Sequence, residues 1–157
     1  MAAPKVRWRR VHPWLGGLGW LWALPLTLPM LVAAACALPF GARLSRRGPF
    51  WFVTRFPLGP KGAFALGAVV ISPLPSLDVR VPSYRARALW SVDPHAPLAR
   101  ERVHLGRHEL AHLRQSMALG PLFPVLYLLC GGVSTRNPFE RAADRYARSG
   151  RGWWPWS

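Results

Sequence analysis

The residues able to do chemistry are concentrated in Arg107-His-Glu-Leu-Ala-His-Leu-Arg-Gln115, which contains the pattern His108-Glu109-x-x-His112. Side chains four apart on a helix share one face, one turn apart. Two imidazoles so placed can bind a single Zn²⁺ at about 2.0–2.1 Å per Zn–N bond. Glu109 directly follows the first imidazole, which puts its carboxylate within reach of a water on the metal as general base. His104 extends the stripe, but at about 1.5 Å rise per residue the outer pair of the three lies about 12 Å apart, too far for one ion. His104 is therefore expected to be a partly exposed histidine, or a residue on the substrate side.

A catalytic zinc takes three protein ligands and leaves one position open. The third is sought downstream in Asn137-Pro-Phe-Glu-Arg-Ala-Ala-Asp144. Asn137 is a good N-cap and Pro138 suits the first helical position, so a helix is predicted from about Pro138 to about Arg148. Glu140 and Asp144 then share a face. Glu140 completes a His₂Glu set, and Asp144 can accept the second N–H of a ligand imidazole and fix its tautomer. Of only six acidic residues, three (Glu109, Glu140 and Asp144) fall in this constellation. Gln115 faces the site as a partner of the ligands or as a bond to a loop carbonyl. Tyr127 and Tyr146 are candidate oxyanion donors, with core packing as the alternative for each.

HExxH followed by E-x-x-x-D resembles the gluzincin branch of zinc metallopeptidases, and His-Glu-Leu-Ala-His-x-x-Gln115 … Asn-Pro-Phe-Glu140 is similar to small bacterial proteins with the same skeleton. The resemblance spans about residues 62–148. It implies an α+β, zincin-like fold, one Zn²⁺ per chain and hydrolysis of a peptide or protein substrate. The alternative is a zinc-stabilised membrane scaffold or partner-binding protein without turnover.

The remaining elements must position this site. Pro13 to Ala42 carries no charge, and about 20 apolar residues suffice to cross a bilayer. Trp8, Trp14, Trp20, Trp22 and Trp51 flank it as an interfacial belt. A retained transmembrane helix is the leading expectation. A signal peptide cleaved near Ala33–Ala37, giving a secreted protein, and a buried or interfacial hairpin bent at Pro25 and Pro29 are the alternatives. The formal net charge of +15 suggests an anionic neighbour. The arginines are scattered and no nucleic-acid motif accompanies them, which favours anionic lipid over nucleic acid.

The chain thus divides into a basic N-terminus (1–12), an apolar anchor (13–42), a basic Arg/Gly/Pro linker (43–62), a metal-binding domain (63–148) and a Trp/Arg tail (149–157). The tail reads as a membrane-interface segment or a loose terminus. Within the domain, 63–72, 77–82 and 88–92 are predicted strands of a small antiparallel sheet. The first is either plain core or an edge that a peptide can join. A helix is predicted from Pro97 or Leu98 to about Leu119, with Gly106 allowing close approach of the sheet, and Leu122–Cys130 is predicted as a buried or membrane-dipping helix. Cys36 and Cys130, both in apolar runs, are expected to be small buried hydrophobes.

Overall fold

A computed structural model describes residues 17–58 and 62–156; the basic segment 1–12, Trp8, Trp14 and Lys61 lie outside the described residues. The fold is α+β. Helix α1 (Leu18–Ala37) and a 3₁₀ turn (Leu38–Phe40) form a segment long and apolar enough to cross a membrane. The two faces of α1 differ in side-chain size. Gly19, Ala23, Thr27, Ala34 and Ala37 are buried against the rest of the chain, while Leu18, Leu21, Trp22, Leu28 and Val32 point outward. Small residues four apart let neighbouring backbone approach closely, and this face does that work throughout.

The stretch predicted as a linker is instead a hairpin, β1 (Arg43–Arg47) and β2 (Phe50–Thr54), paired from Arg43↔Thr54 to Arg47↔Phe50. Every residue of β1 is exposed, so it lacks the in–out alternation that marks a strand in sequence; its partner Phe-Trp-Phe-Val-Thr imposes the pairing. The single strand predicted over 63–72 is also corrected. It divides into β3 (Phe64–Leu66) and β4 (Val69–Ile71) around a turn at Gly67. The sheet order is β1-β2-β4-β3, with β2 and β4 parallel, so the sheet is mixed and β3 is an edge strand with no second strand partner among the described residues.

The turn at Gly67 is where α1 meets the sheet. Gly67 has φ 61°, and a Cβ there would lie 2.6 Å from the Thr27 backbone nitrogen. The Gly67 amide donates to Ser116 Oγ at 2.7 Å, and the Ala68 amide to Thr27 Oγ1 at 3.0 Å. One face of the sheet packs Val53, Val69 and Ile71 against Ala34 and Ala37 of α1. The main core joins Phe50, Phe52 and Val70 to Leu110, Leu113 and Met117 of the helix that carries HExxH.

That helix, α3 (Leu105–Leu119), begins later than predicted. A 3₁₀ turn (Pro97–Arg100) leads into β6 (Arg102–His104), which pairs with β5 (Arg80–Pro82) in a separate two-stranded ribbon. The carbonyls of Val79 and Leu77 accept from the amides of Leu105 and Gly106, at 2.9 and 3.0 Å, and so hold the start of α3. Gly106 permits the approach, since a Cβ would meet the Leu77 carbonyl at 3.2 Å. Residues 88–92 are not a strand. Helix α2 (Tyr84–Trp90) occupies the region, capped by the Ser83 hydroxyl, which accepts from the Ala86 amide.

Helices α4 (Leu122–Leu129) and α5 (Pro138–Ser149) complete the chain, α5 running along α3. The tail folds back: Arg145 donates to the carbonyls of Gly152 and Trp154, and Trp156 packs edge-on against Phe139. The cysteines are not both buried; Cys36 is exposed on α1 and Cys130 is partly exposed.

Two glycine substitutions separate backbone conformation from packing. Gly48 has φ 62° with open space around it, whereas Gly67 has the same conformation against Thr27. Gly48→Ala is expected to cost about 1 kcal/mol, the left-handed penalty alone. Gly67→Ala should add roughly 1–3 kcal/mol of overpacking. Denaturant titration of the two variants checks the difference.

Candidate metal centre

Helix α3 carries His108, Glu109 and His112, all buried, with the two imidazoles meeting α5 and Glu109 lining a cavity. Glu140 enters from the first turn of α5, whose position is set by Asn137. Its side-chain oxygen accepts from the Phe139 amide at 2.9 Å, and its side-chain nitrogen donates to the carbonyls of Tyr127 and Gly132, at 3.0 and 2.6 Å. One side chain thus caps α5 and ties it to the end of α4.

Hydrogen bonding assigns the imidazole tautomers. His108 Nδ1 lies 3.0 Å from Asp144 Oδ1, and Asp144 Oδ2 accepts from the Tyr84 amide at 2.9 Å. Gln115 donates its amide nitrogen to the carbonyls of Trp153 and Phe139, which turns its oxygen toward His112 Nδ1, 2.8 Å away. Both Nδ1 atoms therefore carry hydrogen and donate, and both neutral rings present a lone pair at Nε2.

Those two lone pairs converge on a carboxylate. The Nε2 atoms are 3.1 Å apart, and Glu140 Oε2 lies 3.0 Å from His108 Nε2 and 3.4 Å from His112 Nε2. Three acceptors at this separation repel unless a positive charge lies among them. Bonds of about 2.0–2.1 Å arranged tetrahedrally place ligand atoms about 3.3 Å apart, close to all three distances. The buried group His108, His112 and Glu140 can therefore hold a metal ion. Without one, a proton serves. Burial opposes charge on His108, but its bonds to Asp144 and Glu140 outweigh that and raise its pKa to about 10. Burial would also raise Glu140, yet the His112 and His108 imidazoles hold it well below the usual carboxylate range.

Glu109 differs from the other acids. Burial pushes its pKa up, the two imidazoles opposing and Glu140 assisting. Its carboxylate takes no hydrogen bond from any described residue, although it lines the cavity in front of the cluster. That cavity measures about 690 Å³. Residues 62–66, including all of the edge strand β3, form one wall, and Phe123, Tyr127 and Leu128 of α4 form another.

The remaining predicted residues separate. Tyr127 lines the cavity, but its hydroxyl donates to Glu140 Oε1, so it holds that carboxylate in place. Tyr146 is buried in the core under the Arg114 guanidinium and does not line the cavity. Gln115 makes both bonds considered for it at once, to His112 and to backbone carbonyls. His104 stands apart, bonded through Nε2 to Asp78 at 2.6 Å. Two residues were missed by sequence reasoning. Tyr84 stacks on the His108 ring at 5.7 Å between centroids, and Arg87, over the Tyr84 ring, is the only arginine among the described lining residues. The Ser83 cap was the available signal, since it starts the helix that carries both.

Compared with protein-family models, curated proteins and solved structures, the chain matches none of them.

Purified protein is expected to retain about one divalent ion per chain. His112→Ala and Glu140→Ala should abolish retention, and Asp144→Asn should weaken it about 10–100-fold; elemental analysis and competition with a chromogenic chelator measure both. In chelator-stripped protein the folded state raises the His108 pKa from 6.5 to about 10. The associated stability is whole below pH 6.5 and is lost as pH rises through about 10. Denaturation midpoints of stripped protein should therefore fall across that window, and fall less in Asp144→Asn.

Proposed function

We propose that this chain is a membrane-anchored zinc metallopeptidase of the gluzincin type, with a zincin-like domain. The observation that carries the reading is the convergence of His108 Nε2, His112 Nε2 and Glu140 Oε2 beside Glu109, a buried carboxylate with no described hydrogen-bond partner, at the wall of a substrate-sized cavity. His108, His112 and Glu140 would hold zinc. When bound, zinc supplies Lewis acidity that polarises a carbonyl and makes water a stronger acid.

The chain's own residues do the rest. Asp144 and Gln115 keep both imidazoles in the tautomer that leaves Nε2 free. Tyr127 orients Glu140. The open edge of β3 can pair with an extended peptide and lay it across the cavity. Glu109 removes a proton from water as the water oxygen bonds to the peptide carbonyl carbon. As the C–N bond breaks, the same carboxyl returns the proton to the departing amine. With the Tyr127 hydroxyl engaged by Glu140, Tyr84, stacked on His108 in the cavity wall, is the other described tyrosine available to meet charge developing on the carbonyl oxygen.

α1 supplies the anchor, and the arginines of β1 supply contacts for anionic lipid. The cavity supports an enzyme over a metal-stabilised scaffold, because a scaffold has no use for a buried carboxylate that faces a cleft and has no hydrogen-bond partner among the described residues.

Glu109→Gln distinguishes the two. The variant should retain zinc and fold while losing about 10²–10⁴-fold in turnover of a quenched-fluorescent peptide library. Equal cleavage by wild type and variant would overturn the mechanism, and a cell phenotype untouched by the variant would favour the scaffold.

A further inference from the structure

We infer that the cavity of the metal centre opens onto the hydrocarbon of the membrane, through a lipid-facing surface that α4 shares with α1. The partner of this surface is the acyl region of an anionic bilayer. No side chain from Gln115 to Thr135 is charged. In this stretch α4 buries Phe123 and turns Leu122, Val125, Leu128 and Leu129 outward; Leu128 and Leu129 are 70% and 78% exposed, and Val133 in the following turn is 75% exposed. A water-facing helix of a small soluble domain would carry polar groups at these positions. So much contiguous apolar surface marks a contact face.

The surface is continuous with the outward face of α1. Gly19 packs on Met117, and Gly120, one residue before Pro121 and α4, sits directly against the Trp22 indole. Trp22, on the outward face of α1 with Leu18 and Leu21, thus meets the chain just before α4. The far end of α4 reaches the cavity, where exposed Leu128 and Val133 are lining residues, with half-exposed Phe64 of β3 also in the lining. Acidic side chains are absent from the α1 and α4 faces. The open edge of β1 cannot sit in hydrocarbon, and it bears Arg43, Arg46 and Arg47, which suit anionic headgroups. A single anchoring helix would leave α4 in water; the geometry instead sinks α4 beside α1 and leaves the arginine strand at the surface.

The chemistry of the substrate follows, and this step rests on the metallopeptidase reading: a polypeptide entering by this mouth is an apolar, membrane-resident segment. The described residues at this mouth, Phe64, Leu128 and Val133, are aliphatic and aromatic, and Arg87 is the one arginine among the described lining residues.

The test uses the full-length chain with Cys36→Ala and Cys130→Ala, a spin label at one introduced cysteine, and vesicles of phosphatidylcholine with phosphatidylglycerol. Labels at Val125, Leu129 and Val133 should collide with oxygen in preference to a water-soluble nickel chelate, while a label at exposed Val92 shows the reverse. Nickel accessibility at the α4 positions equal to that at Val92 would overturn the lipid face. In the Glu109→Gln background, a membrane-spanning Leu/Ala peptide should broaden the spectrum of a label at Leu128, and a soluble Ala/Gln peptide of equal length should not. No response to the membrane peptide, or a response to the soluble one alone, would overturn the membrane-resident substrate. Neither readout needs turnover, so a failed peptidase assay with lipid-protected α4 labels would count against the enzyme reading and leave the lipid face standing.

Discussion

The structure is built around three acceptor atoms that would repel one another in the absence of a cation. His108 Nε2, His112 Nε2 and Glu140 Oε2 lie 3.0–3.4 Å apart inside the protein. At that depth repulsion is only weakly screened, so a proton or metal ion must be part of the folded state. Everything around the cluster enforces the arrangement. Asp144 and Gln115 occupy the opposite nitrogen of each ring, and Tyr127 occupies the other oxygen of Glu140. The support extends far along the chain: Gln115 is itself oriented by the Trp153 carbonyl, so the tail belongs to the site.

A second constraint joins the site to the apolar helix. The turn at Gly67 bonds simultaneously to Thr27 on α1 and to Ser116 on α3. Ser116 lies four residues beyond His112, on the helix that carries the ligands. Sheet, α1 and metal helix therefore share one contact point, where a methyl group does not fit. The apolar helix α1 and the His–Glu cluster are thus tied into one body.

Glu109 illustrates how environment assigns roles to identical groups. Glu140 and Glu109 are both buried carboxylates. The first touches two imidazoles and stays ionised well below its usual range, while the second, with no described partner, is pushed upward. One is suited to hold a cation, the other to exchange protons.

What the sequence determined by itself was local. The i, i+4 spacing of His108 and His112 and of Glu140 and Asp144 fixes which side chains share a face, because the helical period does so without help from the fold. Asn137-Pro138 sets the start of α5 for the same reason, since cap and first turn lie within a few residues. Ser83 carried an equally local signal for α2, where a strand was expected. The tertiary structure decided whatever depended on distant partners. β1 has no pattern of its own and is a strand because β2 pairs with it. The run 63–72 turns back at Gly67 because Thr27 and Ser116 accept its turn amides. α3 starts at Leu105 because the carbonyls of Leu77 and Val79 take its first amides and the preceding residues join a ribbon. Tyr127 and Tyr146 looked alike in sequence; only packing sent one to a ligand and the other to the core. Local periodicity supplied the ligands, and long-range hydrogen bonding supplied their orientation, because tautomer and ring position depend on atoms tens of residues away.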